Sequence, residues 1–179
     1  MKKINFSVLL VLGLLASTQS FAQYVPDKGT KLLNAGVGIG GYGIGLGYNS
    51  GVALGASLEF GIMKNLTVGG FVDYRRLSYS GITGISGDGI SYFYVGARGS
   101  YHFNELLNLS TDKADLYVGL GLGYLGVSGS YYTGYSGGAG GIILPLHLGG
   151  RYFFNETVGG FAELGSGVAP LKLGVTFKL

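Results

Sequence analysis

Strict alternation of apolar with polar or glycine residues recurs along this chain, and it limits the fold more than any other feature. In 171–179 the apolar side holds Leu171, Leu173, Val175, Phe177 and Leu179, while Lys172, Gly174, Thr176 and Lys178 take the other. Period two means a strand whose two faces meet different surroundings. The same pattern is legible at 33–40, 52–61, 67–75, 92–103, 116–124, 142–154 and 157–165. Eight such segments, each about the nine to eleven residues that a tilted strand needs to cross a bilayer, predict a closed sheet. Closure also removes the open apolar edge that the last segment would otherwise present.

Composition narrows the class. Mean hydropathy is +0.39 and charged residues make up only 12% of the chain, about half the usual quarter of a soluble domain. Beyond the amino terminus no run approaches 18 consecutive apolar residues, so crossing by helices is excluded. High aliphatic and aromatic content argues against disorder. These observations predict an all-β, eight-stranded antiparallel up-and-down transmembrane β-barrel, in which every backbone group is paired within the sheet.

The first residues read as an export signal. Met1-Lys2-Lys3 is basic, 8–16 is a short apolar run, and Ser20-Phe21-Ala22 offers small residues at a cleavage point. The expected division is a signal peptide at 1–22 and an outer-membrane barrel domain at 23–179. Two of the 12 basic residues lie in that leader, against 9 acidic residues in all, so the rest of the chain is nearly neutral. Without a basic cluster, nucleic acid is excluded as a partner. There is no cysteine, hence no disulfide framework.

Connection lengths and aromatics predict an orientation. Turns after the second, fourth and sixth segments are on average shorter than the stretches after the first, third and fifth, as in barrels with short periplasmic turns and long outer loops. Two connections run against this trend, the long 104–114 on the short side and the brief 166–170 on the long side. The outer loops, 42–50, 78–89 and 128–140, are rich in Tyr, Ser and Gly and uncharged apart from Asp88. Phe60, Tyr101, Phe103, Tyr152, Phe154 and Phe177 close the even strands and form an expected periplasmic aromatic girdle, with Tyr74, Phe93 and Tyr124 opposite. A second regularity is the shared N-x-T-V-G-G-F-x-acid pattern at 65–73 and 155–163, where Asn suits a turn and Gly-Gly leaves room for a neighbouring aromatic.

Charges collect on the face opposite the apolar stripe. Glu59, Asp73, Arg75, Arg98, Arg151, Glu163 and Lys172 are expected to point into the lumen and to compensate one another, with inward glycines giving the arginines room to cross. An eight-stranded interior is just wide enough to be filled by side chains, which predicts a plugged lumen. The alternative is a narrow conduit for ions or small solutes. His102 and His147 share the inward face with Ser100, but no spacing marks a catalytic set, and isolated histidines do not make a metal site. No enzyme activity and no cofactor are expected.

These residues resemble the small bacterial outer-membrane β-barrel proteins, the porin-like outer membrane protein β-barrel domain group. The resemblance rests on 95–103 (VGARGSYHF), 145–154 (PLHLGGRYFF), 160–165 (GFAELG) and the terminal GVTFKL at 174–179. It implies an outer-membrane location, outer-membrane lipids as surroundings, and insertion by the barrel-assembly machinery, which reads a carboxy-terminal β-signal. Here Phe177 stands two places before the final Leu179. A monomer acting structurally, or through a surface ligand of its outer loops, is the expected role. A lipid-modifying enzyme is the remaining alternative.

Overall fold

The computed structural model describes residues 24–41, 48–80, 86–109, 111–131, 135–165 and 167–179. The expected leader and the tips of the outer loops lie outside them. Ten strand segments occur among the described residues: β1 (Lys31–Ile39), β2 (Tyr48–Ser50), β3 (Ala53–Met63), β4 (Leu66–Ser80), β5 (Ser86–His102), β6 (Ala114–Tyr131), β7 (Tyr135–Ile143), β8 (Leu146–Phe153), β9 (Val158–Gly165) and β10 (Leu171–Lys178). All pairings are antiparallel, and the order β4-β3-β1-β10-β9-β8-β6-β5 returns to β4, so the sheet closes on itself. The fold is a closed eight-stranded barrel, as the alternation predicts.

Proline explains why one expected strand is broken in two. Gly123 pairs with Ile143 and Leu120 with Leu146, so β7 and β8 keep one register across the gap. Within the gap Gly121 donates to the Pro145 carbonyl at 2.8 Å. Pro145 has no N–H to return that bond, and the ladder loses one rung.

Some strands run further than the sequence suggests. Residues 78–80, 86–89 and 128–131 fall in segments rich in Gly and Ser that read as loop, yet β4 pairs with β5 up to Ser80↔Ser86 and β6 with β7 up to Tyr131↔Tyr135. A ladder already nucleated below can carry weak strand formers upward, because cross-strand pairing outweighs intrinsic propensity. The barrel wall is therefore tall on the β4–β7 side and low at β9 and β10.

Burial inverts the usual globular arrangement. Outward Leu120, Ile142 and Leu144 are 62%, 76% and 72% exposed, while inward Glu59, His102 and Asp115 are wholly buried. Phe60, Tyr101, Tyr152 and Phe154 face outward near the base and are exposed, whereas Phe103 and Phe177 are half-buried. Tyr74 and Phe93 pair directly across β4 and β5 higher up, and the next outward residue on β4 is the exposed Arg76. Phe93 to Phe103 spans about 34 Å along the strand. At a tilt of 35–45° that is roughly 25 Å along the axis, the height of a lipid-facing band.

The two copies of the N-x-T-V-G-G-F pattern share a spacing and differ in turn chemistry. Asn65 sits in the left-handed region, at φ +64°. Asn155 instead accepts hydrogen bonds through Oδ1 from the amides of Thr157 and Val158, at 2.9 and 2.8 Å. The 104–109 connection forms a single helical turn, with Leu107 N donating to Phe103 O at 3.0 Å, and closes on Asn108 at φ +50°. Asn108 is exposed. Replacing it by alanine should cost about 1 kcal/mol of unfolding free energy, while glycine should be neutral or stabilising. Urea titration of the two variants checks this, and equal losses in both would contradict it.

Candidate functional site

The inward faces of eight strand segments, β1, β3, β4, β5, β6, β8, β9 and β10, build one polar interior. Arg151 of β8 stands at its centre, fully buried, donating to Glu59 Oε1 at 2.9 Å, to Asp115 Oδ2 at 2.7 Å and to Asn34 Oδ1 at 3.1 Å. Its guanidinium carbon lies 4.0 Å from the Tyr117 ring centroid, stacked on the aromatic face. Arg98 of β5 grips Glu163 of β9 through both terminal nitrogens, at 2.6 and 3.3 Å, and the Tyr117 hydroxyl donates to the same carboxylate at 3.1 Å. Its Nε lies 3.6 Å from Glu59, an electrostatic contact beyond hydrogen-bond range. Lys172 of β10 reaches Asp73 of β4 at 2.7 Å and stands 4.0 Å from Glu163.

Six of the seven charges singled out in the sequence thus lie in one chain of ion pairs, and Arg75 stands apart. Its Nη1 donates to the Gly40 and Val168 carbonyls, the latter at 2.9 Å, tying two upper connections together. No ion pair with an acid is formed by Arg75 among the described residues. Asp115 is the acid that sequence reading left out. It lies one residue before the expected start of its strand, at the inward parity of Tyr117, so carrying the alternation back two residues would have found it.

The two histidines belong to separate pairs. His102 Nδ1 faces Asp115 Oδ1 at 2.7 Å and its Nε2 lies 3.1 Å from Thr67 Oγ1. Thr67 also donates to Glu59 Oε2, at 2.8 Å, and so links His102 to the ion-pair chain. His147 Nε2 lies 2.9 Å from Ser100 Oγ. A serine and an imidazole therefore meet, but the aspartate orients the other histidine and Ser100 is wholly buried. A nucleophile needs base, orienting acid and access together.

Glycine makes the space, and aromatic rings fill it. At Gly149 a Cβ would collide with the Tyr117 ring, and at Gly36 and Gly174 it would meet first the backbone of the neighbouring strand and then the Phe161 ring. The expectation that inward glycines serve the arginines is thus corrected at these positions. Arg151 lies against the Tyr117 ring, which Gly149 admits.

Among the described residues, apolar side chains gather at both ends of the lumen. Above, Val168 and Ala169 of the brief 167–170 connection fold inward onto Ala53, Phe71 and Tyr94, with Phe71 and Tyr94 in edge contact at 4.6 Å. Below, Tyr24 and Pro26 tuck under Leu32 and Phe153; the Tyr24 and Phe153 rings lie 5.1 Å apart, and Lys178 Nζ stands 4.6 Å from the Tyr24 ring. Asn104 ties this tail down, donating to the Tyr24 carbonyl at 2.8 Å and accepting from Leu116 N at 2.7 Å.

A closed eight-stranded antiparallel barrel with apolar side chains outside and charges within has the architecture of the small outer-membrane β-barrels. Among solved structures, the amino-terminal barrel domain of Pseudomonas aeruginosa OprF is similar at a TM-score of 0.56, with 15% identity over 85% of this chain and 98% of that one. Neisserial surface protein A gives a TM-score of 0.50, with 18% identity over 84% of this chain and 96% of that one. The attachment invasion locus protein Ail of Yersinia pestis, solved with the heparin analogue sucrose octasulfate, gives 0.45, with 18% identity over 88% and 96%. No protein-family model matches the sequence, and no curated protein matches it significantly.

Removing one partner of a buried ion pair strands the other in low dielectric. Arg151→Met leaves Glu59 and Asp115 short of a cation and should cost about 3–5 kcal/mol. The triple variant Arg151→Met, Glu59→Gln, Asp115→Asn should recover most of that loss. Urea unfolding of folded barrels measures both, and a triple variant weaker than the single one would contradict the pairing.

Proposed function

We propose that this chain is an integral outer-membrane protein whose lumen is plugged and whose role is structural or exerted through its outer loops. The observation that carries the reading is the lumen itself, in which paired charges fill the middle and apolar side chains gather at both ends. A cavity of about 20 Å³ beside Asp73, Arg98, Glu163 and Lys172 has room for little more than a water molecule. Solutes need a continuous path, and these side chains occupy it.

Placement in the membrane is supported by the exterior. Leucine, valine and aromatic side chains cover the outer face over a height matching a hydrocarbon layer, and leaving each large one in water would forgo roughly 1.5–3 kcal/mol of burial. The barrel fold shared with OprF and Neisserial surface protein A fits the same reading. In this reading residues 1–22 are a cleaved export signal, the barrel-assembly machinery inserts the chain, and the folded protein is a monomer without enzyme activity. The short turns and both chain ends face the periplasm, and the tall β4–β7 wall faces outward to any surface ligand.

A narrow conduit is the second reading. It draws on small cavities that flank the Arg98–Glu163 pair, one beside Asp73 and His147 and another of about 10 Å³ beside Asn34 and Ser57. Single-channel recording in planar bilayers separates the two. The full chain should give no steady openings, and steady openings whose conductance changes in Arg98→Ala would replace the plugged reading with the conduit. Independently, the protein should stay in the membrane fraction after carbonate washing and migrate faster on a gel before boiling than after; a carbonate-soluble protein with no mobility shift would refute membrane insertion.

A further inference from the structure

The 104–113 connection is too long for a periplasmic turn, and its construction shows what the extra length provides. Asn104 fixes one end inside the barrel base through four hydrogen bonds, to the Tyr24 and Ala114 carbonyls, Asp115 Oδ1 and Leu116 N. Glu105 fixes the next residue from outside, accepting from Lys64 Nζ at 2.7 Å and Asn65 Nδ2 at 3.0 Å, bonds that hold its carboxyl below the ordinary carboxylate range. Between these anchors and the Asn108 turn the chain presents Leu106 and Leu107, 74% and 51% exposed. A loop that needed only to connect strands would not fix two leucines in the open.

We propose that Leu106 and Leu107 form a foot that inserts into the periplasmic lipid surface of the membrane. The occupant follows from what surrounds them. The connection leaves β5 directly below Tyr101 and Phe103, so the leucines continue the outward aromatic girdle, and the end of neighbouring β3 adds exposed Ile62 and Met63. Lys64 and Glu105 neutralise each other at 2.7 Å, and Asp112 and Lys113 are adjacent in the chain, so the connection brings no unbalanced charge to the foot. An exposed apolar patch without unbalanced charge, continuous with a lipid-facing band, matches the boundary between headgroups and acyl chains. This inference rests on the membrane placement proposed above.

The chain contains no tryptophan, so a single introduced indole reports its own surroundings. The full-length mature chain carrying Leu106→Trp is refolded into phosphatidylcholine–phosphatidylglycerol vesicles and compared with Leu120→Trp in the middle of the band. Folding of each is checked by heat-modifiable migration. The foot is supported when the indole at 106 emits to the blue of free tryptophan and is quenched more by lipids brominated near the headgroup than by lipids brominated deep in the chain, with the reverse order at 120. Water-like, unquenched emission at 106 while 120 is quenched would overturn the foot and assign the leucines to a periplasmic protein partner. Absence of quenching at both sites would refute the membrane placement itself, and the foot with it.

Discussion

Pairing between the first and last strands is the constraint on which the rest of this structure depends. β1 and β10 meet residue for residue from Leu32↔Lys178 to Ile39↔Leu171, and that contact turns a curved sheet into a tube. Once the tube is closed, backbone groups in the wall have partners within it, and each face can take one chemical character. Without the seam, Leu33, Val37, Leu173 and Val175 would flank two open edges, and the lumen charges would face water through a slot.

How much of this was legible in the sequence follows from where information is local. Alternation is local, so the eight strands and the face of nearly every residue could be read directly; Glu59, Asp73, Arg98, Arg151, Glu163 and Lys172 are inward because their apolar neighbours are outward. Partners are not local. Nothing in the sequence says that Arg151 joins Glu59 to Asp115, or that Arg75 holds carbonyls instead of acids, because these contacts cross the lumen between strands far apart in the chain. Connections were read least well. Both anomalies of loop length, 104–114 and 166–170, belong to segments that do something besides connect, one bracing the base and the other packing inward at the top. Residues 24–30 look like a polar lead-in, yet Tyr24 packs with Leu32 and Phe153 in an apolar niche that only the folded barrel creates.

The lumen also shows how an interior of buried charges can be tolerable. Four acids, Glu59, Asp73, Asp115 and Glu163, are held by Arg98, Arg151 and Lys172, with His102, Thr67 and Tyr117 supplying further hydrogens. Glu59, Asp115 and Glu163 each have several donors, the condition under which burial ceases to be prohibitive, and Asp73 takes both of its bonds from Lys172. Tyr117 contributes twice, by its hydroxyl on Glu163 and by its face under Arg151. Glycines enter this design indirectly, since Gly149 admits the ring that carries the charge.

The uneven height of the wall has a mechanical meaning. β4 carries Thr67, Phe71, Asp73 and Arg75 in the lumen and then continues, still paired with β5, to Ser80. From Tyr74 to Ser80 the strand climbs roughly 20 Å. A force applied at the top of that wall runs along the strand and loads its ladder in shear, where many rungs bear it together instead of opening one by one. The tall hairpins are therefore levers seated in the most heavily bonded part of the barrel, and what pulls on them pulls against the whole lumen.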